Sequence, residues 1–438
     1  MLAFKVISLA VYAVVSLLIF LDVTASVDHI YRGAPEYPSP ATQDDPSPEL
    51  PGVNWAPDDD DDDERSRVFD VTGYGAVADG ATETSSAFLA AWEDACAYNG
   101  NATLLVPNGA FFIGPVTLEG PCYNNQSPRI SLRGTLKAPS SLNAFPTSSW
   151  IVFRGLQNFD LTGETGTATI DGQGMEAWAL GSSDKIDKPR NRPTSMKFVN
   201  ISGGTISSIA LLNSKNFHMS FLHCKDIVVD GVEIRAPWDS PNTDGIHISS
   251  SCNINITNST IGVGDDCVSI GPGNANILVL NVTCGPGHGI SVGSLGKYPN
   301  EENVTGVLVK NCTIRGTQNG VRVKTWPGSP PSMASNLTFQ DIVMINVSNP
   351  IIIDQEYCPS HTCLNFKPSD VKLSNIYFRN IKGTSRTKYG VTLVCSSNVA
   401  CENVHFVDVK LNHTAEDCSL SETGLILKGA LQDVEFLL

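Results

Sequence analysis

Charge is scarce in this 438-residue chain: Asp, Glu, Lys and Arg together make up only 17 % of it. No stretch gathers Lys and Arg into a basic stripe, which argues against a nucleic-acid partner. Convincing amphipathic helices are missing too, with one exception. Between Ser85 and Cys96, Phe88, Trp92 and Ala95 share one helical face, and Ser85 stands where a cap would. Gly, Asn, Ser, Thr, Val and Ile are abundant instead, a balance that favours short strands and many turns.

The acidity is unevenly placed. Of a formal net charge of −16, the segment from Val27 to Glu64 supplies −11, with twelve acids against Arg32 alone. The spacer lacks apolar periodicity as well, and it reads as disordered over residues 26–66. Its run Asp58 to Asp63 has neither a Gly turn nor a spaced ligand pattern, so it reads as a solvated, self-repelling tail rather than a calcium loop. Residues 1–25 read as a signal peptide: Lys5, an apolar run from Val6 to Leu21, then the small-residue site Val23-Thr24-Ala25. A membrane anchor is the other reading of that run, but no basic stop-transfer flank follows it. Sequons at Asn101, Asn200, Asn258, Asn281, Asn303, Asn336 and Asn412 fit a secreted glycoprotein. Residues 67–438 then form one domain.

Twelve cysteines suit an oxidising compartment. Pairs close in sequence are Cys96 with Cys122, Cys267 with Cys284, Cys358 with Cys363, and Cys395 with Cys401. Cys224, Cys252 and Cys312 read as inward-facing free thiols of a core, and Cys418 has no obvious partner.

Past residue 150 the chain repeats one plan. Segments such as Asp226-Ile227-Val228-Val229-Asp230, Asn253-Ile254-Asn255-Ile256 and Asn276-Ile277-Leu278-Val279 each give a short alternating strand with Asn or Asp at its corner. Strands this short bury little alone, so stacking must supply the core. The architecture expected is all-β, a right-handed parallel β-helix with the single helix capping its N-terminal end. A β-sandwich would not carry polar clusters at a fixed register over several steps.

Four such clusters stand in order: Asn242-Thr243-Asp244, Asp265-Asp266, Gly287-His288-Gly289 and Arg322-Val323-Lys324. Asp266 stands as far beyond Asp244 as His288 stands beyond Asp266, and an even step of this length suggests one solenoid coil. On a solenoid these positions would sit about 4.8 Å apart on successive coils. The spacings of two put Asn242 with Asp244, and Arg322 with Lys324, on one strand face, with Val321 and Val323 inward. The longer step to Arg322 suggests an inserted loop around Gly293 to Asn303. Each cluster alone is an ordinary turn or solvated face; the shared phase is what points to a hydrolytic site for an anionic substrate.

The four clusters, with Gly245 and Gly264 beside them and Tyr357 after Ile351-Ile352-Ile353-Asp354-Gln355, resemble the signatures of plant polygalacturonases. Val323 stands where Ile is commoner. The resemblance covers about Phe69 to Asn412 and implies a right-handed β-helix that hydrolyses α-1,4-galacturonosidic bonds of pectate with inversion. It implies that Asp265 is the general acid, that Asp244 and Asp266 activate water, and that His288 supports the acid. It further implies that Asn242 orients its neighbours, that Arg322 and Lys324 hold a galacturonate carboxylate, and that Tyr357 meets the sugar ring. Crowded carboxylates cannot all ionise, which suits an acid and a base side by side. Gly293 to Tyr298 and Thr325-Trp326-Pro327 look like the exo-acting, pollen-type branch. No metal or other cofactor is implied. The expected partner is homogalacturonan, with no nucleic acid, and no membrane once the leader is removed. A secreted monomer in the cell wall is expected.

One-coil spacing conflicts with inversion by the usual rule, under which carboxyls about 5 Å apart mean retention. A third carboxylate that holds water beside the pair reconciles the two. The rival readings are endo action, a calcium-dependent pectate lyase on the same fold, and an inactive pectin-binding rod.

Overall fold

Alternation decides which residues enter the core. The strands Lys225–Asp230, Cys252–Thr257 and Ala275–Leu280 each bury every second side chain. They pair in parallel, so that Ile227 faces Ile254 and Ile254 faces Ile277. Like residues therefore stack on like, and each coil buries what its neighbour exposes. A computed structural model describes residues 66–163, 166–180, 192–359, 363, 367–414 and 420–437. The expected signal peptide and nearly all of the acidic spacer, together with Cys418, lie outside the described residues.

The coils build a right-handed parallel β-helix. One sheet contains 11 strands, all parallel, and a second hydrogen-bonded system contains 22. The site lies on the 11-stranded sheet, over five consecutive strands: β1 (Met219–Leu222), β2 (Ile246–Ser249), β3 (Val268–Ile270), β4 (Ile290–Leu295) and β5 (Asn319–Thr325). Strand β6 (Asn349–Asp354) follows.

At the corners the chain turns through left-handed Asn and Asp. Asp226, Asn253 and Asn276 have φ of 57°, 56° and 55°. Their side chains form a ladder: Asn253 Nδ2 donates to Asp226 Oδ1 at 2.7 Å, and Asn276 Nδ2 to Asn253 Oδ1 at 3.1 Å. A second ladder runs Asp230, Asn258, Asn281 and Asn311. The corner explains one departure from the sequence reading. Cys252 is only partly buried, because Asn253 breaks the alternation that would have carried it inward with Ile254 and Ile256. Cys224 and Cys312 are buried free thiols as expected, and all four expected disulfides are present.

The end cap is α1 (Ser85–Ala97), which buries Phe88, Ala91, Trp92 and Ala95. Trp92 Nε1 donates to Glu119 O at 3.2 Å, and the Phe88 ring meets Phe111 edge-on at 6.0 Å. Ser85 is not its N-cap. Thr84 holds that place without a side-chain bond to the helix, its Oγ1 donating instead to Phe112 O at 3.2 Å, while Ser85 Oγ accepts from Gly114 N at 2.8 Å and ties the helix to the next coil. A short second helix, α2 (Met175–Ala179), has no counterpart in the sequence reading.

Within the core, Phe198 stacks between Phe153 and Phe221 at centroid distances of 5.1 and 4.7 Å. It is fully buried. Phe198→Ala is expected to cost about 3–5 kcal/mol of folding free energy, read as a lower denaturant midpoint.

Candidate active site

Register brings the clusters together. Ile246 pairs with Val268, Val268 with Ile290 and Ile290 with Val321; the first two steps are equal in length and the third is longer. Two residues upstream of these positions stand Asp244, Asp266, His288 and Asn319, one above another. Arg322 lies one residue downstream of Val321 and pairs with Ser291. Arg322 and Lys324 therefore sit further along the strand than the carboxylate row, not directly on top of it. The inserted length is also shorter than expected, because β4 runs on to Leu295 and the excursion begins at Gly296.

Asn242 reaches the site by a different route from the one expected. It is not on a strand; its φ of 54° places it in a left-handed turn before β2. From there Nδ2 points to Asp265 Oδ2 at 3.4 Å.

The three carboxylates have unlike surroundings. Asp266 is almost fully buried. Lys324 Nζ donates to its Oδ2 at 2.7 Å, Arg322 Nη2 to its Oδ1 at 2.9 Å, and Ser291 Oγ to Oδ1 at 2.8 Å. Burial alone would favour its neutral form, but Lys324 and Arg322 outweigh that and hold it below the usual carboxylate range. Asp244 is buried without such a partner. Burial, followed by the charges of Asp265 and Asp266, pushes it well above the usual range, against the bond it accepts from Ser269 Oγ at 2.7 Å. Asp265 is the carboxylate that opens to solvent, with its side chain 20 % exposed. It accepts from the Asp266 N–H at 2.8 Å and contacts His288 Nδ1 at 3.0 Å.

The glycines flanking His288 set that contact. At Gly287 φ is +147° and a Cβ would stand 2.7 Å from Asp265 O; at Gly289 it would stand 2.2 Å from Asn319 O and Gly320 O. Only glycine lets the turn sink far enough for the His288 N–H to donate to Asp265 O at 2.7 Å. Tyr357 arrives from beyond β6. Its ring lies 5.2 Å from Lys324 Nζ and 5.8 Å from Arg322 Cζ, and edge-on to Trp326 at 5.6 Å. All eight residues singled out in the sequence thus gather around one centre.

A second row went unnoticed in the sequence. His247, Ser269, Ser291 and Arg322 share one register level. His247 Nδ1 meets Ser269 Oγ at 2.9 Å, Ser269 serves Asp244, Ser291 serves Asp266, and Arg322 Nε donates to Ser291 Oγ at 3.1 Å. His247, Ser269 and Ser291 repeat the even step of the acids, so the periodicity that revealed the acids contained this row as well. His247 packs on Phe217 at 4.8 Å, and burial lowers its pKa to about 4, so it is neutral at ordinary pH.

Ligand-capable atoms of Asp265, Asp266 and His288 lie within 4.8 Å of one another. As a metal site this fits poorly, because both Asp266 oxygens already accept from cationic groups and a divalent ion would compete with two fixed charges. The arrangement is suited to acid–base chemistry: an ionised buried base, an accessible carboxyl beside it, and a third carboxyl pushed toward protonation.

The two buried carboxylates should have opposite effects on stability. Asp266 has a lowered folded-state pKa, so its contribution is present above the unfolded value of about 4 and fades as pH falls. Asp266→Asn strands Lys324 and Arg322 and should cost about 3–5 kcal/mol at pH 7. Asp244 has a raised folded-state pKa, so its ionisation opposes folding at neutral pH and is silent below about pH 4. Asp244→Asn should therefore match or exceed the parent at pH 7, with the difference vanishing in acid. Urea denaturation of both variants at pH 7 and pH 4 checks the two signs.

Comparison with known proteins agrees with this geometry. Residues 96–425 match the model of glycosyl hydrolases family 28. An exopolygalacturonase of Platanus acerifolia is 45 % identical over 79 % of this chain and 90 % of its own length. One from Oenothera organensis is 46 % identical over 76 % and 91 %, and a polygalacturonase of Gossypium hirsutum 42 % over 82 % and 87 %. Among solved structures, an exopolygalacturonase of Thermotoga maritima superposes with a TM-score of 0.67 over 85 % of this chain and 92 % of its own, at 18 % identity. An endo-xylogalacturonan hydrolase of Aspergillus tubingensis also reaches 0.67, over 82 % and 100 % at 24 % identity; these two share the fold. The chain belongs to glycosyl hydrolases family 28.

Proposed function

We propose that this enzyme is an exo-acting polygalacturonase, which hydrolyses α-1,4-galacturonosidic bonds of homogalacturonan with inversion. The observation that carries the reading is the division of labour between Asp265 and Asp266. Asp266 is clamped in its ionised form by Lys324 and Arg322, whereas Asp265 faces the open cleft. In relatives of over 40 % identity, the name polygalacturonase or exopolygalacturonase accompanies the same chain.

The chemistry follows from the positions. Asp265 donates its proton to the glycosidic oxygen as the bond to the anomeric carbon breaks, and leaves as carboxylate. A water held between Asp244 and Asp266 attacks that carbon from the opposite face and gives its proton to Asp266. The product carries the inverted anomeric centre, and exchange with solvent resets both carboxyls. Asp265 rather than Asp244 serves as the acid, because Asp244 is buried and accepts from Ser269, whereas Asp265 faces the cleft. His288 and Asn242 fix the acid's orientation. Arg322 uses Nε and Nη2 on the protein, and Lys324 one of its three protons, so both keep donors for a uronate carboxylate beside Tyr357.

Secretion to the cell wall fits this substrate. No described helix is long and apolar enough to cross a membrane. The substrate and the leader-like apolar run from Val6 to Leu21 support a secreted enzyme.

Incubation of the purified chain with polygalacturonate is the test. Early products should be galacturonic acid monomer, and NMR should show the inverted anomer first. A chelator should leave the rate unchanged, with no unsaturated product ends. Mixed oligomers at early times would mean endo action, a first-formed retained anomer would overturn the three carboxyl roles, and calcium-dependent unsaturated ends would mean a lyase. Asp265→Asn should lower kcat by about 10²–10⁴-fold, as expected for loss of a general acid.

A further inference from the structure

Asp265 meets His288, and Asp266 is clamped by Lys324 and Arg322, but among the described residues no ion pair reaches Asp244. Neutral groups hold it instead, at both of its ends.

At the backbone end the holder is His218. Ser214 N donates to its Nε2 at 3.3 Å, so Nδ1 carries the ring hydrogen and donates to Asp244 O at 3.1 Å. The His218 N–H donates to the same oxygen at 2.8 Å. His218 is fully buried, and burial lowers its pKa to about 4, so it stays neutral.

At the carboxyl end the holder is Ser269, whose Oγ donates to Oδ2 at 2.7 Å. A serine hydroxyl has one hydrogen. Spent on Asp244, it leaves Ser269 only acceptor capacity for His247 Nδ1, 2.9 Å away. His247 is neutral too, with a single ring hydrogen, and that hydrogen must therefore stand on Nδ1. The chain runs one way: His247 Nδ1–H to Ser269 Oγ–H to Asp244 Oδ2. Among the described residues no hydrogen bond engages Asp244 Oδ1, the oxygen left for water.

Phe217 links the two ends. It precedes His218, and its ring stacks on His247 at 4.8 Å with an interplanar angle of 29°. Packing thus sets the imidazole plane, and with it the direction of Nδ1. Asp266 has the same construction with a charge in place of the imidazole, from Arg322 Nε through Ser291 Oγ to Oδ1. A cation at position 247 would draw Asp244 into the ionised state that Asp266 occupies, whereas a neutral donor orients it without adding charge.

We infer that His247 is a positioning residue for the hydrolysis, acting through the Ser269 hydroxyl to turn Asp244 Oδ1 toward the attacking water. The role rests on the reading of this enzyme as a polygalacturonase, and adds to it a residue that works at one remove from the reacting atoms.

The test measures kcat and KM on polygalacturonate for the parent, His247→Leu, His247→Asn, His247→Gln, Ser269→Ala and the double variant His247→Leu/Ser269→Ala. An asparagine amide nitrogen stands as many bonds from the backbone as Nδ1, and a glutamine nitrogen one bond further. His247→Leu should lower kcat about 10–100-fold, as misplacement of a reacting group does, with KM within about twofold of the parent. His247→Asn should recover most of that loss and His247→Gln little of it. In the Ser269→Ala background His247→Leu should cost no further kcat, because the group it acts through is gone. A merely structural role on Phe217 predicts the reverse: equal losses in both backgrounds, with Leu better than Asn. That pattern, or a kcat for His247→Leu within about twofold of the parent, overturns the role while the enzyme reading stands. If thermal melts show that His247→Leu does not fold, the Asn and Gln variants decide, and equal kcat values for the two overturn the role. If the parent releases no reducing ends from polygalacturonate, the enzyme reading falls and the role falls with it.

Discussion

The contact on which the rest of the site depends is the ion cluster around Asp266. One buried carboxylate accepts from Lys324 at 2.7 Å, Arg322 at 2.9 Å and Ser291 at 2.8 Å. Arg322 and Lys324 come from β5 and Asp266 from the turn entering β3, so the cluster reaches across the coil of β4 between them. It acts as both a structural clamp and a chemical setting. Two cations next to a buried acid keep it charged where burial alone would neutralise it. The same negative charge then helps to raise Asp244. Removing the clamp would disturb the protonation of every carboxyl nearby, which is why no single residue of this group can be assigned an independent share of catalysis.

Much of this was legible from residue order alone. The strand alternation, the corner asparagines and the capping helix are local signals, and a parallel coil turns local signals into long-range register without further information. The row Asp244, Asp266, His288 was visible because two successive coils have equal length. What stayed hidden depended on the places where coils differ. The longer coil between Ile290 and Val321 moves Arg322 off the expected level. Counting along the chain from His288 to Arg322 could not show that the two belong to different positions along the strand. For Asn242 a spacing of two from Asp244 suggests a strand face, whereas a left-handed turn can bring a side chain to the same place. Parity points Cys252 inward, and the same kind of residue, Asn253, turns it partly outward.

The second row is instructive because nothing prevented its detection. His247, Ser269 and Ser291 repeat at the same interval as the acids, yet serine on a strand attracts no attention. Their value appears only once the carboxylates have known positions: a hydroxyl one level along is the nearest donor to an oxygen that must be held still. The acids and their supports thus run as two parallel files along the sheet, with each supporting hydroxyl one coil beyond the acid it serves, Ser269 for Asp244 and Ser291 for Asp266.

This division bears on how such an enzyme can change. From β2 to β4 the coils are held at one length, and adding a single residue there would carry an acid out of its file. The excursion from Gly296 to Asn303 lies beyond the end of β4, outside both files. The coil containing it is already longer than the two before it, and the pairing of Val292 with Val323 is undisturbed. Length can be gained or lost at such a turn while the reacting groups stay in place. The rod is therefore a frame in which reaction chemistry and cleft shape can evolve on separate parts of the same coil, with the hydrogen-bonded strand as the border between them.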